Sequence, residues 1–351
     1  MANDKNDRLP AIIQHGWHTL PHVIVDAYNE ELKDKDGFLG DRASRGAFRD
    51  ILDKWRKEIA AKGDDPFEGA PNYSLTKSQI DKYLQGDDAL AAGLIHTAVE
   101  EFANELATVA ARFLMLDEWK DTEHIVVGGG LSGSHIGTLA IGRAVILLKD
   151  KGVQNRDDPD CQPPRRGGSS RRSRACAVWI LDGYDAIIAV DIGGTNLRVG
   201  VIKLKMKKGD ITKSGVWKSS LWRHKDDNPT RDDAVARIAE MIEKLVKRAE
   251  EEKLRVAPFI AVGCPGFITR DGTIEKGAQN LPGNWEEHDF SLSGELAKKL
   301  QLINGHEPLF VIHNDAVVQG LSEASNMQDV RRWGVFTIGT GLGNARFTNR
   351  K

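Results

Sequence analysis

The sequence predicts an α/β protein, and three observations predict it. Apolar strand-like runs alternate with helical stripes; several of the runs end in glycine turns (VVGGG, VDIGGTN, FTIGTGLG); and 40% of the residues are apolar, enough for a substantial core. Strands alternating with helices build layered α/β domains. At 351 residues the chain has room for two ordinary domains or one large domain with a deep cleft.

Residues 1–150 begin with an apolar segment, IIQHGWHTLPHVIVDAY, and a polar middle. A long helix follows, in which Leu90, Leu94, Ala98, Phe102, Leu106 and Val109 recur at three- and four-residue steps, as on one buried face. The strand His124–Val127 then runs into three glycines, and a second helix passes through Ile141, Ala144, Val145 and Leu148. Residues 151–185 mix Pro, Gly, Ser and Arg without periodicity and read as a flexible linker. No aromatics interleave with its arginines, so a solvated tether is favoured over a nucleic-acid contact. From Ala186 the pattern tightens. AIIAVDIGG and RVGVIKL read as strands, Val235, Ile238, Met241, Ile242, Leu245 and Val246 form a helical stripe, and strands recur at FIAVG, LFVIH and GVFTIG.

Composition narrows the function. The formal net charge is −2 with 28% charged residues, so no general field favours nucleic acid or anionic membranes. Cys161, Cys176 and Cys264 form neither a disulfide framework nor a C-x-x-C pair. The start, MANDKNDRLP, is polar, and no apolar run reaches the roughly 18 residues of a membrane span. The expectation is a soluble protein of a reducing cytoplasm.

Three segments carry the chemistry. DIGGTN (Asp191, Gly193, Gly194, Thr195, Asn196) puts a glycine pair and a threonine between two strands. Bare backbone there can close on an anion, and the carboxylate can hold a hydrated magnesium ion. GVFTIGTGLGNARF offers a second turn of this type through Thr337, Gly339, Thr340 and Gly341. Two such turns face each other across a cleft only if two similar sub-domains carry one each. LFVIHNDA delivers Asn314 and Asp315 at a strand's carboxyl end, where α/β folds place ligand groups. Asp315 can take the proton of a hydroxyl attacking phosphorus, or it can simply begin a helix as its cap. GCPGFI and NLPGNW add turns, with Asn280 and Trp285 suited to sugar hydroxyls and sugar faces.

In this order the segments resemble the sugar kinases of the actin/Hsp70/hexokinase superfamily, and among them the ROK family (repressors, open reading frames, kinases), which contains bacterial glucokinases. DIGGTN resembles its first phosphate motif, HNDA its catalytic segment and FTIGTGLG its second phosphate motif. The resemblance implies a two-lobed actin-like ATPase fold of the ribonuclease H-like type. It also implies ATP and Mg2+ as cofactors, with Asp315 as general base and Asp191 orienting magnesium through water. Gly193, Gly194, Thr195, Asn196, Gly339, Thr340 and Gly341 would bind phosphates. Sugar contacts would come from Asp315, Asn280, Asn314 and Trp285. Relatives often pair, so a homodimer is conceivable.

The family's adenosine motif, a strand, a GGG-type turn and a helix, belongs near a kinase's C-terminus. Here VVGGGLSGSHIG comes first, placing Gly129 and Gly130 against the adenosine. The chain therefore reads as a circular permutant. Residues 1–150 are a C-terminal-type lobe moved to the front, 151–185 join the original ends, 186–333 are the N-terminal-type lobe, and 334–351 start the second lobe. The rival reading takes Gly128, Gly130 and Gly133 as a G-x-G-x-x-G dinucleotide site of an oxidoreductase; it wants a further strand after the helix, and none is apparent.

Two family features are missing. The Cys-rich zinc motif is absent, so no structural zinc is expected, and no E-x-G-H sugar segment occurs. IIQHGWHTLPH falls where that segment would, which nominates His15 or His18 as sugar contacts. With His22 they have a metal-like spacing, but packed or surface histidines are the better reading. The sugar's identity stays open among glucose, another hexose, an amino sugar or a cyclitol. So does a sugar-binding regulator without turnover.

Overall fold

The computed structural model describes residues 15–20, 22–35, 37–63, 65–67, 75–150, 183–205 and 214–350. All but the last three residues of the expected linker lie outside these. Among the described residues the chain forms two compact units: 15–29, 183–326 and 350 make the first, and 30–150 with 327–349 make the second. Each unit therefore draws on both the front and the back of the sequence.

The first strand, β1 (Val23–Tyr28), belongs to the first unit. The second unit starts with the short pair β2 (Lys33–Asp34) and β3 (Gly37–Phe38), then α1 (Arg45–Ala60), α2 (Lys77–Leu84) and α3 (Ala89–Leu114). Each helix begins on a side-chain cap: Ser44 accepts from the Ala47 N–H, Thr76 and Gln79 form a reciprocal capping box, and Asp88 accepts from Leu90 and Ala91. Next come β4 (His124–Gly129) and α4 (His135–Asp150). Helix α3 is the unit's centre because α1, α2 and α4 all pack on it. Leu94, Ala98, Phe102, Leu106 and Val109 are buried as the spacing predicts, but Leu90 is 45% exposed. It closes an exposed run, residues 85–90, at the helix start, so periodicity overreached by one turn.

The first unit resumes with β5 (Ala186–Ile192), β6 (Leu197–Lys203), β7 (Gly215–Trp222), the single turn α5 (His224–Asp227) and α6 (Arg231–Glu251). Then follow β8 (Val256–Cys264), β9 (Phe267–Ile268), β10 (Ile274–Lys276), α7 (Leu292–Lys299), β11 (Leu309–Asn314) and α8 (Asp315–Glu323). The strand order of its main sheet is β11-β8-β5-β6-β7, with β11, β8 and β5 parallel and β6 and β7 antiparallel. The parallel strands are the near-continuous apolar runs, as burial on both faces requires. Ile188, Val190 and Ile192 share a core with the α6 stripe, every member of which is buried. Ile187, Ile202, Ala257 and Phe259 build a second cluster.

The second unit ends with β12 (Arg332–Ile338) and β13 (Leu342–Asn349). They pair antiparallel, while β12 pairs in parallel with β4, placing Thr337 opposite Gly128 and Ile338 opposite Gly129. Phe336 thereby joins Phe113 and Trp119 in an aromatic cluster with centroid separations of 5.1–5.2 Å.

Candidate functional site

In the first unit the site candidates gather at the carboxyl ends of three adjacent parallel strands. Asp191 of β5 and His313 of β11 are both in register with Gly263 of β8, one on each side. Two strand spacings separate their backbones, about 10 Å. Asp191 leads into the β5–β6 hairpin turn, which Gly193 closes by donating to the Asn196 carbonyl at 3.0 Å. Neither Gly193 nor Gly194 has a left-handed φ, and a Cβ at Gly193 would stand 3.4 Å from the Asn196 carbonyl oxygen. Thr195 is buried, and Arg198 approaches the Asp191 carboxylate at 3.4 Å. His224, buried in α5, holds the Gly193 carbonyl through Nε2 at 2.7 Å. Nothing in the sequence marked His224; its role needs α5 folded over the turn.

Asp315 is the first residue of α8. The cap reading falls to its neighbour: the buried Asn314 side chain accepts from the Ala316 and Val317 N–H groups and donates through Nδ2 to the Gly266 carbonyl at 2.9 Å. Asn314 thus anchors the strand end and caps the helix. The Asp315 carboxylate accepts from the Ala316 N–H at 2.8 Å. Beside it, burial first and the Asp315 charge second push the Cys264 thiol well above its usual range, so Cys264 stays protonated.

The other expected sugar residues separate. Asn280 is exposed. Trp285 is 1% exposed, donates Nε1–H to the Pro282 carbonyl at 2.7 Å and packs edge-on against Phe290, so it serves the core and presents no sugar-facing surface. His15 and His18 fall in the first unit with Asp315. His15 Nδ1 accepts from the Ile312 N–H at 3.1 Å, and burial lowers its pKa, with Asp271 opposing. His18 Nδ1 lies 3.0 Å from the Val25 carbonyl. Tyr28 closes this region, donating to the Ile268 carbonyl at 3.0 Å and stacking on Phe267.

In the second unit two glycine turns lie side by side at the ends of β4 and β12. The Gly130 N–H donates to the Ile338 carbonyl at 3.1 Å, and Gly339 donates to the Gly341 carbonyl at 2.9 Å. The Gly339 carbonyl accepts from the Arg45 N–H, tying α1 to the second turn beside Thr340. Helix α2 clasps the first turn with two residues one helical turn apart. Lys77 donates to the Gly130 carbonyl, and the Asp81 carboxylate accepts from the His135 and Ile136 N–H groups at 3.0 Å each.

That second contact corrects the dinucleotide alternative through Gly128, Gly130 and Gly133. A dinucleotide fingerprint seats a pyrophosphate on the helix N-terminus. Here Asp81 already fills the α4 N-terminus with a carboxylate, and a second anion there would be repelled.

The sequence model of the ROK family matches residues 187–351, which contain DIGGTN, HNDA and FTIGTGLG. The matched stretch is just under half of the chain. The ROK segment therefore includes Asp191, Asp315 and the Gly339–Gly341 turn, while Gly129 and Gly130 lie outside it. A glucokinase from Thermotoga maritima is 30% identical over 163 residues, 46% of this chain and 44% of that protein. The chain thus spans less than half the length of that curated relative. Among solved structures, a candidate N-acetylmannosamine kinase from Listeria monocytogenes is 26% identical, covering 47% of each chain with a TM-score of 0.32. A candidate sugar kinase from Cytophaga hutchinsonii is 18% identical, covering 47% of this chain and 48% of that one, with a TM-score of 0.32.

Proposed function

We propose that the chain transfers the terminal phosphoryl group of ATP to a hydroxyl of a hexose, with glucose the first candidate. The observation that carries this reading is the placement of Asp315 and the Asp191 turn after the carboxyl ends of β11 and β5, the two strands that flank β8 in one sheet, inside the ROK segment. Asp315 accepts the proton as the sugar oxygen attacks phosphorus, and ADP departs. The Asn314 side chain caps α8 through two N–H groups, and the Asp315 carboxylate shares one of them, the Ala316 N–H. Gly193, Gly194, Thr195 and Asn196 in one unit, and Gly339, Thr340 and Gly341 in the other, are assigned to phosphates. Gly129 and Gly130 are assigned to the adenosine end. Asn280, being exposed, remains a sugar-contact candidate, as do His15 and His18.

Magnesium fits this residue set. No group of three or more His, Cys, Asp or Glu able to hold a metal occurs among the described residues. Magnesium keeps several waters and is commonly held by one or two carboxylates plus substrate phosphates. Asp191, partly exposed beside the turn, is the residue that would orient it. When bound, the ion would neutralise charge on the transferring phosphates.

The same proposal includes circular permutation, with residues 1–150 supplying the segment that follows the second phosphate turn in relatives. Pairing of β4 with β12 supports it, since the front strand and the last hairpin share one unit. A coupled ADP-release assay over glucose, other hexoses, amino sugars and inositols, run beside calorimetric binding, tests the function. Sugar-stimulated ADP release is the expected result. Tight sugar binding with no ADP release over the whole panel would replace the kinase with a sugar-responsive regulator.

A further inference from the structure

The segment around His15, far from Asp315 in sequence, is bound to the edge of the strand that presents it. The Gly16 N–H donates to the Ile312 carbonyl at 3.0 Å, and the Ile312 N–H donates back to His15 Nδ1. Residues 15–17 therefore cover the free edge of β11, the outermost strand of its sheet. Gly16 has φ +57°, and a Cβ there would collide with the Ile268 carbonyl, so the approach is fixed on both sides.

His313 completes the connection. Its Nδ1 can only be accepting at 2.8 Å from the Asn314 N–H, so in the neutral ring the proton sits on Nε2, which donates to the Trp17 carbonyl at 3.0 Å. The imidazole is buried, in edge contact with Tyr28 at 5.4 Å. Asn314, whose amide it holds, in turn caps α8 and binds Gly266. A hydrogen-bonded line thus runs from the Trp17 carbonyl through His313 and Asn314 to the first turn of α8, where Asp315 stands.

We propose that His313 is a positioning residue for Asp315. It lets residues 15–18 fix the strand-to-helix corner from which the carboxylate is presented. Its consequence for catalysis rests on the kinase reading above; its consequence for the corner does not. Fully satisfied buried networks of this kind hold a single arrangement, and small misplacements of a reacting group lower rates steeply.

The test compares wild-type full chain with His313→Phe, which keeps a buried ring and removes both bonds. His313→Asn can retain the acceptor toward the Asn314 N–H, and His313→Gln can retain a donor toward Trp17. Hydrogen exchange at the amides of 314–317 should be at least tenfold faster in His313→Phe, with α6 unchanged, and slower again in His313→Asn. With glucose and MgATP, kcat should fall at least tenfold in His313→Phe, with the KM for ATP within about twofold of wild type and partial recovery in His313→Asn. Unchanged exchange at 314–317 overturns the proposal whatever reaction the protein performs. Faster exchange with wild-type kcat, in a protein that Asp315→Ala inactivates, confines His313 to the fold and also overturns it. Loss of sugar-stimulated turnover from the wild type itself would count against the kinase reading alone, because the exchange result stands independently.

Discussion

Gly129 and Ile338 stand opposite each other on the adjacent parallel strands β4 and β12, so the front of the chain and its last hairpin are two halves of one sheet. The fit is tight. Gly129 has φ +93°, and a Cβ there would collide with the Ile338 carbonyl oxygen and stand 2.7 Å from its nitrogen. Gly129→Ala should therefore cost at least about 3 kcal/mol, combining left-handed strain with overpacking. Denaturant unfolding followed by Trp fluorescence checks it; a change below about 1 kcal/mol would show that the two strands are not held as described.

Asp315→Ala should abolish sugar-stimulated ADP release while sugar binding measured by calorimetry stays within a few-fold. Asn314→Ala should behave differently. It removes the α8 cap and an inward hydrogen bond, costing about 1–3 kcal/mol of stability as well as rate. Turnover retained by Asp315→Ala would end the general-base assignment.

Trp285→Phe should lower stability by roughly 1–3 kcal/mol through lost packing, with the sugar KM unchanged, because the indole is in the core. Asn280→Ala should do the reverse, leaving the melting temperature alone and raising the sugar KM. Both variants raising the KM equally would return Trp285 to the sugar site.

Acid should loosen the first unit in a defined window. Burial, the dominant cause, lowers His313 to about 4, with its bond to Trp17 opposing and the nearby His18 adding to the shift. The unfolded chain then binds the extra proton between about 4 and 6.5, so stability rises with pH across that window. The contribution is complete above about 6.5 and is lost as pH falls toward 4, on the order of 3 kcal/mol in all. His15, also lowered by burial, acts in the same direction. His313→Phe should flatten the slope; an unchanged slope would assign it to other groups.

Much of this was legible in the sequence where local pattern and burial coincide. The runs AIIAVDI, FIAVG and LFVIH are apolar because the sheet buries both faces, and the α6 stripe is wholly buried. Strand β7 was not legible: GVWKSSLW lies at the sheet edge, where one side meets solvent and the alternation is broken by a bulge. At the site, Asp191 and Asp315 follow from being polar residues at the ends of apolar strands. His224, Asp81 and His313 act through partners 31 to 296 residues away, and no spacing rule reaches that far. Trp285 misled because an aromatic in a Pro-Gly turn looks available, whereas the turn folds the ring inward onto Phe290.

Asp315, the residue just after β11, is proposed to serve phosphoryl transfer to a sugar. The most direct measurement is transfer of a labelled terminal phosphate from MgATP to glucose by the full chain, beside Asp315→Asn. Labelled sugar phosphate is expected from the wild type and at least a thousandfold less from the variant. Equal labelling by both proteins would contradict it.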